Sequence, residues 1–124
     1  MKELKSINYR ARVHSIPLSS ICSISDGLLD IAFETSLLKS LTMKGMINPL
    51  LVCTEEDFKN TDIRQFERRR VPEVIEQEYR CLIGNNRYAF AVKNGYTHID
   101  CLIVSGLEEL KSLHRETQIS PRKM

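Results

Sequence analysis

The sequence lacks the features of membrane, secreted and zinc-binding proteins. No apolar run reaches the roughly 18 residues that a membrane-spanning helix needs. The charged residues 1–5 are not followed by an apolar stretch, so no signal peptide is predicted. The four cysteines form no CxxC pair and no cysteine–histidine spacing of the zinc type. We therefore expect a cytoplasmic protein without a membrane partner.

Neither the net charge nor the cysteines point to a particular ligand. At +2, with a pI near 8.4, the chain falls short of the basic excess that indicates nucleic acid on charge alone. Cys53, Cys81 and Cys101 each stand in an apolar, strand-like stretch. For these three, buried thiols that pack as small apolar side chains are favoured over a metal site.

What the sequence does contain is an ordinary globular composition with alternating strand and helix patterns. Its 124 residues, 42% of them apolar, suffice for one domain with its own core. The patterns predict strands over 13–18, 50–53, 79–83 and 99–104, and helices over 34–44, 86–93 and 107–114. This order predicts an α/β (α+β) domain, a small mixed sheet with flanking helices, over residues 1–115. A flexible tail is expected over 116–124.

Residues 54–78 are a polar stretch between two predicted strands. We interpret this stretch as an insert on the surface, helical in part. It contains Arg68, Arg69 and Arg70, which could follow a nucleic-acid backbone because such contacts need only positive charge within reach of phosphates. Glutamates interrupt the cluster, and a solvated face is favoured over a DNA contact by about two to one.

The junction over residues 84–87 is the feature most suggestive of a ligand. Ile83 ends a predicted strand and Tyr88 stands in the helix that follows, so the amides between them are those left unpaired at a helix start. Gly84 permits close approach, the amides carry partial positive charge, and Arg87 can add donors to a phosphate. The same residues also suit a plain helix start, because asparagine caps helices and arginine can cover a helix surface. From these four residues alone, the two interpretations are about equally favoured.

Two longer stretches resemble signatures of a known superfamily. Residues 37–52 contain a helix pattern, a glycine, two apolar residues, a polar residue, a proline and a strand, as in the ParB N-terminal domain. Residues 84–91 and 95–99 are similar to the second signature of the ParB and sulfiredoxin superfamily. Order and separation match apart from a longer insert, and the resemblance covers residues 13–104. Two signatures in order are fairly specific for a fold and much less specific for an activity.

The resemblance implies a nucleotide site. In that superfamily the glycine turn binds nucleotide phosphates, and the segment before the earlier strand lies against the nucleotide. By that likeness the binding residues are Gly84, Asn85, Asn86, Arg87, Gly45, Met46, Ile47 and Asn48. The implied ligand is CTP, ATP or ADP, with Mg²⁺ as a candidate companion. For the upstream residues, packing and the start of a strand are the alternative.

Three departures from the family pattern limit what the resemblance implies. Asn85 and Asn86 replace the acidic residue and the first arginine that ParB proteins usually carry, which counts against triphosphate binding and a CTP switch. Asn85 also stands where sulfiredoxins have their reactive cysteine, so sulfinic-acid reductase activity is not expected. Only about twenty residues follow Val104, too few for the DNA-reading helix-turn-helix of full ParB proteins. We expect at most the isolated nucleotide-binding domain.

Three classes of function stay open. The first is a nucleotide-binding module, regulatory or associated with DNA metabolism. The second is a nuclease or a nucleotide-dependent phosphotransferase, for which Glu34 and Asp100 are the candidate catalytic carboxylates. For each of these two, a structural role is favoured by about three to one, because no metal motif accompanies them. The third class is a scaffold that binds a protein partner without a nucleotide.

Overall fold

The computed structural model describes residues 2–24, 46, 48–67 and 71–119. The strands in these residues are β1 (Glu3–Leu4), β2 (His14–Pro17), β3 (Ile21–Cys22), β4 (Leu50–Thr54), β5 (Tyr79–Ile83) and β6 (His98–Ile103). The helices in the same residues are α1 (Glu55–Asn60), α2 (Asn85–Lys93) and α3 (Leu107–Ile119), with 3₁₀ turns at Leu18–Ser20 and Asp62–Phe66. The predicted fold class, a mixed sheet with flanking helices, is confirmed. The helix predicted over 34–44 lies outside the described residues.

Strand β4 is central in the sheet, as its unbroken apolar run predicts. Its first four side chains are fully buried, because neighbouring strands pair with both of its edges and side chains pack on both of its faces. It runs parallel to β6 and antiparallel to β5. Hydrogen-bonded neighbours follow the order β1-β6-β4-β5-β3, and β2 also pairs with β6.

Strand β6 has two partners that share one of its edges. His98 pairs with residues of both β1 and β2, so these two strands lie on opposite edges of β6. Cys101 pairs with residues of both β2 and β4, so β4 follows β1 along the same edge. Near the place where β1 ends, Ser6 and Met46 form an isolated parallel bridge. The N-terminal segment and the segment that leads into β4 therefore run side by side.

Side-chain alternation divides the core into one cluster on each face of the sheet. The cluster on the face that α2 covers includes Leu50, Val52, Cys81, Phe90, Ala91, Ile99 and Cys101. The cluster on the face that α3 covers includes Leu51, Cys53, Phe58, Ile63, Leu82, Leu102, Leu110 and Leu113. The turn before α2 thus belongs to the first face, and the insert belongs to the second.

The stretch interpreted as an insert is helical in part and is joined to the sheet by a partly buried ion pair. From β5, Arg80 donates two hydrogen bonds to the carboxylate of Glu55 in α1, at 2.7 and 2.9 Å. It donates a third to the carbonyl of Glu73 at 3.3 Å. The apolar residues Phe58 and Ile63 of this stretch are buried in the second cluster. The insert therefore packs against the domain instead of only covering its surface.

The last helix is longer than predicted. Helix α3 extends to Ile119, five residues beyond the predicted end at residue 114. Leu110 and Leu113 are buried against the sheet, which supplies the packing that the first turns need. No helix in the described ranges is long and apolar enough to cross a membrane.

Candidate functional site

The turn between β5 and α2 has the backbone geometry that its glycine suggests. Gly84 precedes the helix with φ 104° and ψ 23°, a left-handed conformation that favours glycine. No side-chain cap closes the helix start. The first helical hydrogen bond runs from the amide of Tyr88 to the carbonyl of Gly84, at 2.9 Å. The amides of Asn85, Asn86 and Arg87 thus have no partner within the helix.

Gly84 also lies where a larger residue does not fit. A Cβ atom at this position would lie 2.8 Å from Nη2 of Arg87 and 2.9 Å from Cγ of Leu50. The side chain of Arg87 therefore folds back over the glycine and lies close to the start of β4. Both the backbone angle and the available space restrict this position to glycine.

Arg87 makes one side-chain hydrogen bond in the described part of the chain, from Nη1 to the backbone carbonyl of Asn48. No carboxylate in that part lies within ion-pair distance of its guanidinium. Burial lowers the pKa of Arg87 below its ordinary value, although a guanidinium stays charged at neutral pH. Buried side-chain nitrogens in the described residues all have partners, so the remaining guanidinium nitrogens reach solvent.

The two asparagines of the turn have different surroundings. Oδ1 of Asn85 accepts hydrogen bonds from Oγ of Ser23 at 2.5 Å and from the amide of Ile24 at 3.0 Å. The buried side chain of Asn85 therefore joins α2 to the segment after β3. Asn86 is exposed beside it. Of the two side chains, that of Asn86 is the one open to solvent.

Met46 was predicted to line the nucleotide, and the structure places its side chain in the core. It is fully buried in the cluster beneath α2. Its carbonyl accepts a hydrogen bond from the amide of Ile7 at 2.7 Å. The alternative interpretation, packing, describes this position. The neighbouring predictions Gly45 and Ile47 lie outside the described residues.

Asn48 does meet the turn, through its backbone. Its carbonyl accepts the hydrogen bond from Arg87, and its Oδ1 accepts another from Nδ2 of Asn8 at 2.9 Å. The residue is 8% exposed, so little of it is open to a ligand. Asn48 therefore contributes to the site by holding Arg87.

Asp100, a candidate catalytic carboxylate, does not lie at the turn. Its neighbours Ile99 and Cys101 point into the cluster beneath α2, so alternation directs Asp100 to the other face of the sheet. Its Oδ2 accepts a hydrogen bond from the amide of Ser6 at 2.9 Å, where β1 ends. The structure thus gives Asp100 a structural partner and does not bring it together with Arg87.

The other candidate acid and the basic cluster fall outside the described residues. These are Glu34 and the three arginines Arg68, Arg69 and Arg70. In the ranges that the structure describes, no group of three or more histidines, cysteines or acids could hold a metal ion. The roles suggested for these four residues stay predictions.

Three of the cysteines are buried thiols, as their apolar surroundings predict. Cys53, Cys81 and Cys101 are buried, and no disulfide joins any of the cysteines within the described residues. Burial raises the pKa of Cys53 to about 12, although the nearby Arg80 acts in the opposite direction. Burial also raises the pKa of Cys101, against the effect of Arg87. Cys53 and Cys101 are therefore protonated at neutral pH and are poor nucleophiles.

Two residues that support the site were missed from the sequence. Tyr88 donates from its hydroxyl to the carbonyls of Leu18 at 2.9 Å and Ile21 at 3.2 Å, which fixes α2 on the sheet. Asn8 holds Asn48 from 40 residues away. The tyrosine is part of the second signature and could have been examined there. No local pattern marks the asparagine.

The architecture of the described residues is similar to that of a known fold. The described residues form a mixed α/β domain with a curled sheet and three helices, similar to the sulfiredoxin fold. In particular, the chain is similar to the crystal structure of sulfiredoxin from Arabidopsis thaliana. The TM-score is 0.50 at 20% sequence identity, and the match covers 82% of this chain and 94% of that chain.

Comparisons of the sequence itself do not assign the chain to a family. No protein-family model matches the sequence, and no curated protein matches it significantly. Structural likeness at 20% identity supports the fold alone, because one fold hosts many functions. The resemblance to ParB-like domains is therefore supported at the level of the fold, and the function has to be argued from the turn.

Proposed function

We propose that this chain is a ParB-like nucleotide-binding module that holds a nucleotide phosphate at the start of α2. One observation carries the proposal. The guanidinium of Arg87 is charged, largely enclosed and without a carboxylate partner in the described residues. It lies over Gly84, beside helix amides that have no partner within the helix. A phosphate would supply the negative charge that this arrangement lacks.

Two kinds of donor lie at one place, the amides at the start of α2 and the guanidinium of Arg87. The start of a helix carries a partial positive charge, and its amides point toward an approaching anion. Hydrogen bonds to charged groups contribute about 1.5–3 kcal/mol each, roughly twice the value for neutral pairs. Two or three such bonds to a phosphate correspond to a dissociation constant on the order of micromolar to millimolar. Contacts to the sugar and base would add to that affinity.

The proposal concerns binding and names no reaction. A phosphotransferase or nuclease would need a carboxylate near the phosphate. Among the described residues the candidate Asp100 lies on the opposite face and accepts a hydrogen bond from Ser6. A regulatory module, or one associated with DNA metabolism, agrees better with that placement. CTP, ATP and ADP are the nucleotides to compare, each with and without Mg²⁺.

Calorimetry with the full chain tests the proposal. CTP, ATP, ADP and inorganic phosphate are titrated into the wild type, Arg87→Met, Arg87→Lys and the control Arg10→Ala. Arg10 is exposed, so its removal changes the net charge equally without touching the turn. We expect at least one nucleotide to bind, and Arg87→Met to weaken that binding by about tenfold or more. Arg87→Lys keeps the charge and loses the fork of donors, so its affinity should fall between the two.

Two results would overturn the proposal. If no nucleotide and no phosphate binds the wild type at millimolar concentration, the turn is a plain helix start and the scaffold interpretation gains. If Arg10→Ala weakens binding as much as Arg87→Met does, the ligand responds to net charge and not to the turn. Turnover of a bound nucleotide would instead support the enzyme alternative over a pure binding module.

A further inference from the structure

We propose that Asn8 is a positioning residue for the phosphate turn and acts through Asn48 on Arg87. The inference rests on the proposed function, which assigns Arg87 to the phosphate, and adds a segment that lies far away in the sequence. Asn8 touches neither Arg87 nor the start of α2 through any hydrogen bond in the described residues. Its effect on the ligand is therefore indirect.

The link consists of two consecutive hydrogen bonds. Nδ2 of Asn8 donates to Oδ1 of Asn48 at 2.9 Å, and the backbone carbonyl of Asn48 accepts from Nη1 of Arg87. These bonds join residues 40 and 39 positions apart in the sequence. Because Nη1 is occupied by the carbonyl, the direction in which the rest of the guanidinium faces depends on where Asn48 is held.

The direction of the Asn48 carbonyl is restricted from both sides. Pro49 follows it, is fully buried and disfavours helical angles at the residue before it. Asn8 holds the side chain of Asn48 from the other side. A carbonyl fixed in this way presents a defined acceptor to Arg87, so the guanidinium loses less freedom when it binds an anion.

Asn8 is itself well anchored. The carbonyl of Asn8 accepts a hydrogen bond from Oγ of Ser6 at 2.9 Å. The amide of Ser6 donates to Asp100, and the amide of Ile7 donates to the carbonyl of Met46. The N-terminal segment is thus attached to β6 and to the residues before β4. Through Ser6, the carboxylate of Asp100 helps to hold Asn8 in place.

A double-mutant cycle tests whether Asn8 acts through Arg87. Phosphate affinity is measured by amide chemical-shift titration for the wild type, Asn8→Ala, Arg87→Met and the double variant. We expect Asn8→Ala to weaken phosphate binding about fivefold in the wild type. In the Arg87→Met background the same substitution should have no further effect. An equal loss in both backgrounds would mean general loosening of the domain and would overturn the proposal.

Ser15→Ala is the matched control for the N-terminal region. Oγ of Ser15 donates to Glu3 at 3.1 Å, an exposed side-chain hydrogen bond with no connection to Asn48. Removing it should leave phosphate affinity unchanged within about 1.5-fold. If Ser15→Ala weakens binding as much as Asn8→Ala, the specific connection through Asn48 is wrong.

A ligand-free measurement separates this inference from the proposed function. In protein labelled with ¹⁵N-arginine, the Nε order parameter of Arg87 should be about 0.8 in the wild type and below about 0.6 in Asn8→Ala. The Arg87→Lys variant assigns the signal. This change would support the positioning role even if no phosphate binds, in which case the proposed function alone fails. An unchanged order parameter would overturn the positioning role whatever the phosphate titration shows.

Discussion

Arg80 and Arg87 stand on opposite faces of the same sheet, and their surroundings differ in one decisive respect. Arg80 is 4% exposed, forms a two-bond pair with the carboxylate of Glu55 and lies 4.2 Å from the ring centre of Phe58. Arg87 is bound only by the neutral carbonyl of Asn48 in the described residues. A carboxylate neutralises the first charge, and no carboxylate of the described residues pairs with the second.

This difference separates an arginine that holds the fold from the one to which we assign the phosphate. A carboxylate cancels the charge and uses two guanidinium nitrogens, so Arg80 has little left for a ligand. A carbonyl fixes one nitrogen and leaves the net charge in place. Each arginine also lies near a buried thiol, Cys53 for Arg80 and Cys101 for Arg87, and at both thiols burial has the larger effect on the pKa.

Breaking the neutralised pair should have the largest effect on stability. In Glu55→Gln, Arg80 would stay buried with a weaker partner, and we expect the free energy of unfolding to fall by about 3 kcal/mol. Urea denaturation measures this loss. Glu56→Gln, an exposed neighbour on the same helix, should change stability by less than about 0.5 kcal/mol. Equal losses for the two variants would show that the ion pair does not hold the insert in place.

Substitution of the glycine beneath Arg87 should cause the next largest loss of stability. In Gly84→Ala the new Cβ meets Arg87 and Leu50 at φ 104°, so we expect a loss of about 2 kcal/mol together with weaker phosphate binding. Gly95→Ala provides the matched control, because Gly95 has φ 77° and nothing within 4 Å of an added Cβ. That variant should lose about 1 kcal/mol and bind phosphate normally. Thermal unfolding and shift titration measure the two effects, and normal phosphate binding by Gly84→Ala would contradict the assignment of the turn.

Removing Arg87 itself should be milder for the fold than breaking the Arg80 pair. Arg87→Met keeps an apolar stem and leaves one carbonyl without its donor, so we expect a loss of about 1 kcal/mol. Phosphate at ten times its dissociation constant should then raise the wild-type unfolding free energy by about 1.4 kcal/mol and that of the variant by no more than about 0.4 kcal/mol. Urea unfolding with and without phosphate measures both. A loss as large as that of Glu55→Gln would make Arg87 a structural arginine and remove the contrast.

The smallest effect concerns pH and the thiol beside Arg80. The pKa of Cys53 is raised from its ordinary value of 9.0 to about 12 in the folded chain. The unfolded chain therefore loses this proton first, and the stability contributed by the protonated thiol is present below pH 9 and declines as pH rises toward 12. Between pH 8 and pH 10 we expect a loss of about 1 kcal/mol in the wild type and a shallower decline in Cys53→Val. Parallel pH profiles for the two proteins would show that another group is responsible.

The central strands and the glycine turn could be predicted because their signals are local. A few neighbouring residues suffice to indicate the buried strand β4 and the junction at Gly84. Both lie where the sequence predicts them. Strands β1 and β3 were missed because two residues are too short to show alternation. They form because β6 and β5 offer them free edges, which no local pattern reports.

The candidate site shows the same limit at the level of side chains. Arg87 could be selected from its place after Gly84, but its partner Asn48 could be identified only as a residue near the nucleotide. Asn8 could not be found at all, because its contact crosses 40 positions of sequence. Asp100 was chosen as an acid on a strand, and alternation then placed it on the other face. Local chemistry predicts which residues can bind, and the sheet decides which of them meet.

The shared edge of β6 also has a consequence for the order in which the chain folds. Leu4 pairs with Ile99, and the carbonyl of Lys2 accepts a hydrogen bond from the amide of Thr97. The N-terminal residues therefore cannot dock before β6 is present. Contacts this distant in sequence form slowly because a long loop must close first. During synthesis the N-terminal segment emerges early and stays undocked until β6 follows. The proposed phosphate turn would then be completed only after β6 has formed, when Asn8 reaches Asn48.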